Sequence, residues 1–196
     1  MKLHDSRRDQ FRKMAKYQGY RSRSAFKLKQ INKTHHILKK GSIVIDVGCA
    51  PGGWIQVAME EVGEKGKVIG IDLKKMESIY GTIVIHGSIE DEIVIAELNK
   101  LLDKKADVIL SDIAPNVSGN WELDHARQIS LTERVFDLAK KILKRNGTAV
   151  FKVFQGDMLN DLIIKLKESF ERVIITKPMA SRQESSEIYL VCLNFR

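Results

Sequence analysis

Residues 43–54 read IVIDVGCAPGGW: a β-branched run, an acid, a glycine-rich turn and a tryptophan. Ile43 to Ile45 is too short a run for a helix and suits a buried strand ending near Asp46 and Val47. The turn follows at the strand's carboxyl end. Gly48, Gly52 and Gly53 allow backbone angles or close approaches that a Cβ obstructs, and Pro51 suits a first helical turn, where no N–H partner is needed. A ligand can therefore come close to bare backbone. In an open α/β sheet, nucleotide-like ligands bind outside the carboxyl end of the first strand.

Strand-like and helix-like stretches alternate from there on. Strands are expected at 42–47, 67–73, 82–86, 106–111 and 148–154. Helices are expected at 53–62, 90–102 and 123–144, the last closed by Asn146 and Gly147 as a carboxyl cap. Leu123, Ile129, Val135, Leu138 and Ile142 have the spacing of a buried face on that long helix. The alternation implies a mostly parallel, doubly wound α/β sheet. A further helix over 157–170 precedes strands at 172–176 and 187–194. No helical pattern separates those two strands, so they should be antiparallel neighbours.

The 196 residues fit one domain with a sizeable core. No run of 18 uncharged apolar residues occurs, and the charged start MKLHDSRRDQFRKMAK lacks a signal peptide's apolar segment. A soluble, cytoplasmic protein without membrane attachment is expected. Cys49 and Cys192 are the only cysteines and have no ligand-like spacing, so neither a disulfide framework nor a metal site is expected. The net charge of +8 is unevenly spread. Residues 1–40 hold 13 Lys or Arg against Asp5 and Asp9, whereas the other 156 residues hold 20 bases against 23 acids. Phe11, Met14, Tyr17, Tyr20, Phe26, Leu28 and Ile31 interleave those bases. The segment 1–40 is therefore expected to pack on the domain formed by 41–196 while its bases face a polyanion such as RNA.

Asp72 ends the second strand, 24 residues after Gly48, where an acid can accept bonds from a ribose diol. Nicotinamide and S-adenosylmethionine sites both use such an acid, and Asp72 alone does not discriminate between them. Asp46 has two readings, a ligand contact or a brace for the loop N–H groups.

Five segments in order resemble the FtsJ family of ribosomal RNA 2′-O-ribose methyltransferases: YRSRSAFKL with Lys27, DVGCAPGGW, SDIAPNVSG with Asp112, FKVFQG with Lys152, and SRQESSEIYLV with Glu187. The resemblance implies a Rossmann-like sheet with its last strand antiparallel, binding S-adenosylmethionine and releasing S-adenosylhomocysteine. It assigns donor contacts to Gly48, Gly52, Gly53, Trp54, Asp72 and Asp112, and a catalytic tetrad to Lys27, Asp112, Lys152 and Glu187. Trp54 could equally serve helix packing. Family members carry Gly-Asp where this chain reads HGSIED, so Ser88 stands where an aspartate near the adenine is expected. Its hydroxyl can make one bond there, or Asp91 can compensate.

Methylating a ribose hydroxyl needs an in-line approach and removal of a proton from a poor nucleophile. Lys152 and Asp112 emerge at the carboxyl edge of expected strands, where the donor should be bound. Lys152 could act as a base or as a cation stabilising the developing charge. SDIAPNVSG, with Asn116, is closest to the large-subunit type, which implies a uridine of 23S-type rRNA in the A loop of the peptidyl transferase centre. The expected partner is thus large-subunit rRNA in a ribosomal subunit or late precursor, and the enzyme is expected to be a monomer. A nicotinamide-dependent oxidoreductase leaves the basic segment and the tetrad unexplained. A non-catalytic RNA-binding factor leaves the cofactor turn unexplained.

Overall fold

The computed structural model describes residues 3–182 and 184–196, with side chains from Gln10 onward. The expected RNA-facing bases Lys2, Arg7 and Arg8 thus have side chains outside the described ones, and Gln183 of the SRQESSEIYLV segment also falls outside the described residues. The helices are α1 (Leu3–Tyr17), α2 (Ala25–His35), α3 (Gly53–Val62), α4 (Glu92–Leu101), α5 (Trp121–Ile142) and α6 (Leu159–Ser169). The strands are β1 (Ile43–Val47), β2 (Lys67–Asp72), β3 (Thr82–His86), β4 (Ala106–Ser111), β5 (Leu143–Phe154), β6 (Phe170–Thr176) and β7 (Glu187–Phe195). Among the described residues they form one seven-stranded sheet in the order β3-β2-β1-β4-β5-β7-β6.

β1 is buried along its whole length, as a parallel strand covered on both faces must be. It pairs in parallel with β2 on one side and β4 on the other. The chain runs outward from β1 to β3 and then returns to β4, so the strand order reverses between β1 and β4. That reversal opens a crevice at the carboxyl edge of the sheet. β7 runs antiparallel to both β5 and β6, which brings its first residue, Glu187, to the edge where β4 and β5 end. The mostly parallel sheet with antiparallel pairing at its carboxyl-terminal end is the expected architecture.

Two apolar layers cover the sheet. Ile45, Ile69, Ile109, Phe151 and Leu190 meet Leu98 of α4, Val135 and Phe136 of α5 and Leu166 of α6 on one face. Val44, Val68, Leu110, Val150 and Tyr189 meet Leu28 and Ile31 of α2 and Ile55 and Val57 of α3 on the other. Ala15, Tyr20 and Phe26 belong to this second layer and Phe11 packs against it, whereas Tyr17, also expected to pack, is exposed. No helix of the described residues is long and apolar enough to cross a membrane. Cys49 and Cys192 are buried free thiols.

Two expectations about α5 need correction. The helix ends at Ile142, ahead of Asn146 and Gly147, and β5 begins at once with Leu143, which is buried and pairs with Ala106. Asn146 does adopt a positive φ of 62°, but inside β5, where the register jumps from Ala106–Leu143 to Val108–Thr148. Burial of Leu143 outweighs the local cap signal, and the turn residues form a bulge instead. Leu123 lies in the first turn of α5 and is 43% exposed, so it does not share the buried face of Ile129 and Val135.

Candidate active site

The turn after β1 is braced by Asp72, not by Asp46. Asp72 accepts from Ala50 N at 2.8 Å and from Lys74 N at 2.7 Å. Gly48 has φ +78°, and a Cβ there would lie 3.1 Å from Ile113; Gly52 has φ +111°, and its Cβ would lie 2.7 Å from Ile79 and 2.9 Å from Met76. The glycines thus admit two loops of the chain itself, 112–120 and 73–81, to close range. Arg21 ties the second loop down, donating to Glu77 O at 2.6 Å and Ser78 O at 3.0 Å. Ser88 follows β3 beside Asp72, since Asp72 and His86 are register partners. Its hydroxyl accepts from Glu90 N at 3.2 Å, and its own N–H donates to Asp91 Oδ2 at 3.2 Å.

Asp46 is fully buried, and neither carboxylate oxygen has a hydrogen-bond partner among the described residues. Burial, reinforced by the charges of Asp112 and Asp72, raises its carboxyl well above the ordinary aspartate value. A buried, orphaned carboxylate costs stability. Three acids thus converge on the crevice between β1 and β4, a polarity suited to a cationic ligand.

Trp54 is buried at the start of α3. Its indole N–H donates to Ser24 O at 2.9 Å, and its ring lies 5.6 Å from that of Tyr189. Gly53 faces Ser22, whose Oγ would be 2.2 Å from a Cβ. Both residues therefore dock the segment ahead of α2. Gln56 adds two further stitches, accepting from Arg21 N at 2.8 Å and donating to Gly19 O at 2.9 Å. This docking carries Lys27, in the first turn of α2, to the carboxyl edge of the sheet.

There the structure brings the four expected catalytic residues together. Lys27 Nζ donates to Glu187 Oε1 and forms an ion pair with it. Lys152 Nζ donates to Asp112 O and lies 3.2 Å from Asp112 Oδ1. Tyr189 joins the two pairs, its hydroxyl 2.8 Å from Asp112 Oδ1 and 3.0 Å from Glu187 Oε1. Lys27 and Lys152 are both 7% exposed, a low value for lysine that holds only because each is paired. Burial alone would raise the Glu187 carboxyl, but the charge of Lys27 and its hydrogen bond outweigh this and hold it below the ordinary glutamate range. Burial, then the charges of Asp112 and Glu187, push the Tyr189 phenol well above its ordinary value.

Tyr189 is absent from the residues expected on sequence grounds, yet it was within reach: two positions beyond Glu187 on a strand, it must share Glu187's face. Gln128 and Thr132 on α5 carry no such signal, since nothing in a helical pattern marks them. Gln128 donates to Lys152 O at 2.9 Å and to Ile113 O at 3.3 Å, and Thr132 donates to Lys152 O at 3.3 Å. These buried bonds fix the strand under Lys152 to the loop beyond Asp112. No group of three or more His, Cys, Asp or Glu among the described residues is arranged to hold a metal ion.

A groove of about 570 Å³ lies beside this network, lined by Arg12, Lys13 and Lys16 of α1, Arg21 and Arg23 ahead of α2, and Arg182 ahead of β7. It approaches the network through the β6–β7 connection: Arg182 lines the groove, and the Oγ of the preceding Ser181 is 3.4 Å from Glu187 Oε1.

Comparison with known proteins agrees with this architecture. The FtsJ-like methyltransferase family matches residues 20–195. A protein of Nitrosopumilus maritimus named ribosomal RNA large subunit methyltransferase E is 47% identical over 195 residues, covering 100% of this chain and 99% of that protein. The protein of that name from Methanosarcina barkeri is 50% identical over 190 residues, covering 96% of this chain and 72% of its own length. Among solved structures, a Plasmodium falciparum protein assigned as a ribosomal RNA methyltransferase superposes with a TM-score of 0.81 at 38% identity, covering 90% of this chain and 98% of that one. With its sheet order, its glycine turn and its clustered lysines and carboxylates, the chain belongs to the FtsJ-like methyltransferase family.

Proposed function

We propose that this protein transfers a methyl group from S-adenosylmethionine to a ribose 2′-hydroxyl of large-subunit rRNA, at a uridine in the A loop of the peptidyl transferase centre. The observation that carries the reading is the continuous chain of contacts from Lys27 through Glu187, Tyr189 and Asp112 to Lys152, beside a groove lined with arginine and lysine. The names of the relatives from Nitrosopumilus and Methanosarcina support an rRNA substrate.

The residues of the crevice fit the donor. Asp46 offers two buried, unpaired oxygens where Asp72 and Asp112 add negative charge, and the donor carries positive sulfonium and ammonium groups. Asp72, at the end of β2, would accept from the ribose with lone pairs left over from its two loop bonds. Ser88 would approach the adenine side, Gly48 and Gly52 would let the turn come near, and Gly53 and Trp54 would hold the turn from behind. When bound, S-adenosylmethionine supplies a methyl group on sulfur, which moves to the attacking oxygen and leaves S-adenosylhomocysteine.

The chain's own residues do the rest. Lys152 Nζ, which donates to Asp112 O and is paired with Asp112 Oδ1 at 3.2 Å, would present a positive charge to the ribose oxygen as that oxygen gives up its proton. Asp112 holds the ammonium in place, and its carboxylate would accept the proton that the ribose hydroxyl releases as the methyl–oxygen bond forms. Lys27 and Glu187 would place the substrate ribose, since their pair lies between the basic groove and Lys152. The amino-terminal segment 1–40 would bind rRNA phosphates while packed on the methyltransferase domain 41–196. A monomer acting in the cytoplasm on a ribosomal subunit or late precursor is the setting that fits these assignments.

Ribose-methylation mapping of rRNA from cells with and without the gene tests the proposal directly. One A-loop uridine should lose its 2′-O-methyl group; an unchanged large-subunit map would refute the substrate. Thermal stabilisation by S-adenosylmethionine but not by NAD should accompany it.

A further inference from the structure

Two tryptophans occur in the chain, and they differ sharply in setting. Trp54 is 2% exposed with its N–H bonded, whereas Trp121, the first residue of α5, is 47% exposed. Trp121 is nevertheless held. Its ring stacks on His125 at 5.8 Å and 14°, and lies 6.0 Å from Phe154. His125 is itself fixed, 4% exposed, accepting from Met158 N at 3.2 Å and packed so tightly on Gly156 that a Cβ there would lie 2.8 Å away. The loop joining Asp112 to Trp121 is fixed too: the Asp124 carboxylate accepts from Ser118 N and Oγ, each at 2.8 Å, and from Gly119 N at 3.2 Å.

The location gives this rigid, open aromatic surface its meaning. Phe154 is the register partner of Glu187 and stands two residues beyond Lys152, which is itself partnered with Tyr189. Alternation along β5 therefore puts Phe154 on the same sheet face as Lys152, and Trp121 reaches it over the carboxyl edge from α5, which covers the opposite face. The cationic groove lies on the α1–α2 side of the network and the aromatic surface on the α5 side. RNA crossing Lys152 with phosphates in the groove would bring bases over Trp121. An unpaired base stacks on an exposed aromatic ring whatever its sequence.

We propose that Trp121, backed by His125 and Phe154, is a stacking platform for an unpaired nucleobase next to the ribose being methylated. The proposal rests on the RNA methyltransferase reading above. It assigns to Trp121 an affinity contribution independent of charge, in contrast to the salt-dependent contribution of the arginines and lysines.

The test is a titration of the intact protein with a single-stranded RNA oligonucleotide at several salt concentrations. Trp121→Ala should weaken binding by roughly 5- to 150-fold at every salt, with the slope against salt unchanged. Trp121→Phe should remain within about threefold of wild type, while Trp121→Leu should behave like the alanine variant. S-adenosylmethionine affinity should be the same in all, which also reports that each is folded. RNA should quench wild-type tryptophan emission, and the quench should vanish in Trp121→Phe although that variant still binds. Wild-type affinity in Trp121→Ala, or equal rescue by leucine and phenylalanine, would overturn the platform while RNA methylation by the wild type stands. Wild-type protein that methylates no RNA would overturn the underlying reading and the platform with it.

Discussion

The Tyr189 hydroxyl lies between two carboxylates, 2.8 Å from Asp112 Oδ1 and 3.0 Å from Glu187 Oε1, and has one proton to share between them. It couples the Lys152–Asp112 pair to the Lys27–Glu187 pair while leaving each carboxylate its own lysine. Removing the hydroxyl should therefore loosen the site without dismantling it. Tyr189→Phe is expected to cost about 1 kcal/mol of stability and to slow methyl transfer far less than loss of Lys152. Denaturant unfolding and single-turnover kinetics on the same preparation check both halves. A loss as large as that of a Lys152 variant would make the phenol a direct participant.

Asp46 should show a trade between stability and donor binding. Its folded-state carboxyl is raised by burial and by Asp112 and Asp72, so its contribution to folding is favourable below the ordinary aspartate value and is lost as pH rises. Asp46→Asn should match wild-type stability near pH 4 and exceed it at pH 7, by on the order of 1 to 3 kcal/mol. S-adenosylmethionine affinity, measured by calorimetry, should fall by roughly tenfold or more, the scale for a charge-assisted contact. A variant less stable than wild type at pH 7 would mean that the carboxylate is a net stabilising group.

The basic groove should set the salt dependence of RNA binding. Substituting Arg12, Lys13 and Lys16 together by alanine should reduce the slope of log K against log salt by up to about 2 units, at roughly 0.7 per phosphate contact of a single strand. Donor affinity should not change. An unaltered slope would mean that α1 carries solvated charge and no RNA.

How much of this was legible beforehand depended on whether each signal was local. The strand, glycine turn and helix from Ile43 to Val62 depend on near neighbours, and α3 begins and ends at the residues expected for it. Asp112 and Lys152 are legible because a parallel sheet delivers its strand ends to one edge. The α5–β5 boundary is not, because Asn146 and Gly147 carry a cap signal that burial of Leu143 against Ala106 overrides. The division of labour between Asp46 and Asp72 was also hidden: only the three-dimensional turn reveals that Asp72 takes the Ala50 and Lys74 N–H groups and leaves Asp46 orphaned. Trp54 and Gly53 were legible as important positions, but their neighbours, Ser24 and Ser22, lie about 30 residues away in the chain.

Glu187 should link the site to acid stability. Its carboxyl is held below the ordinary glutamate value by Lys27 in spite of burial, so the stabilisation is present above that value and disappears as pH falls through the lower, folded-state one. Glu187→Gln should cost about 1 to 3 kcal/mol at pH 7, and the gap should narrow as pH falls below the ordinary glutamate range. A gap independent of pH would assign the loss to packing.

Lys152 is where the chemistry can be separated from folding and binding. Single-turnover methyl transfer with saturating rRNA and S-adenosylmethionine should be slower by roughly 10²-fold or more in Lys152→Ala, with donor affinity within about twofold of wild type. Partial recovery in Lys152→Arg would identify the lysine as a cation, since guanidinium keeps its proton at usable pH. A Lys152→Ala enzyme within about threefold of the wild-type rate would remove Lys152, and the ion-pair network built around it, from the centre of the reaction.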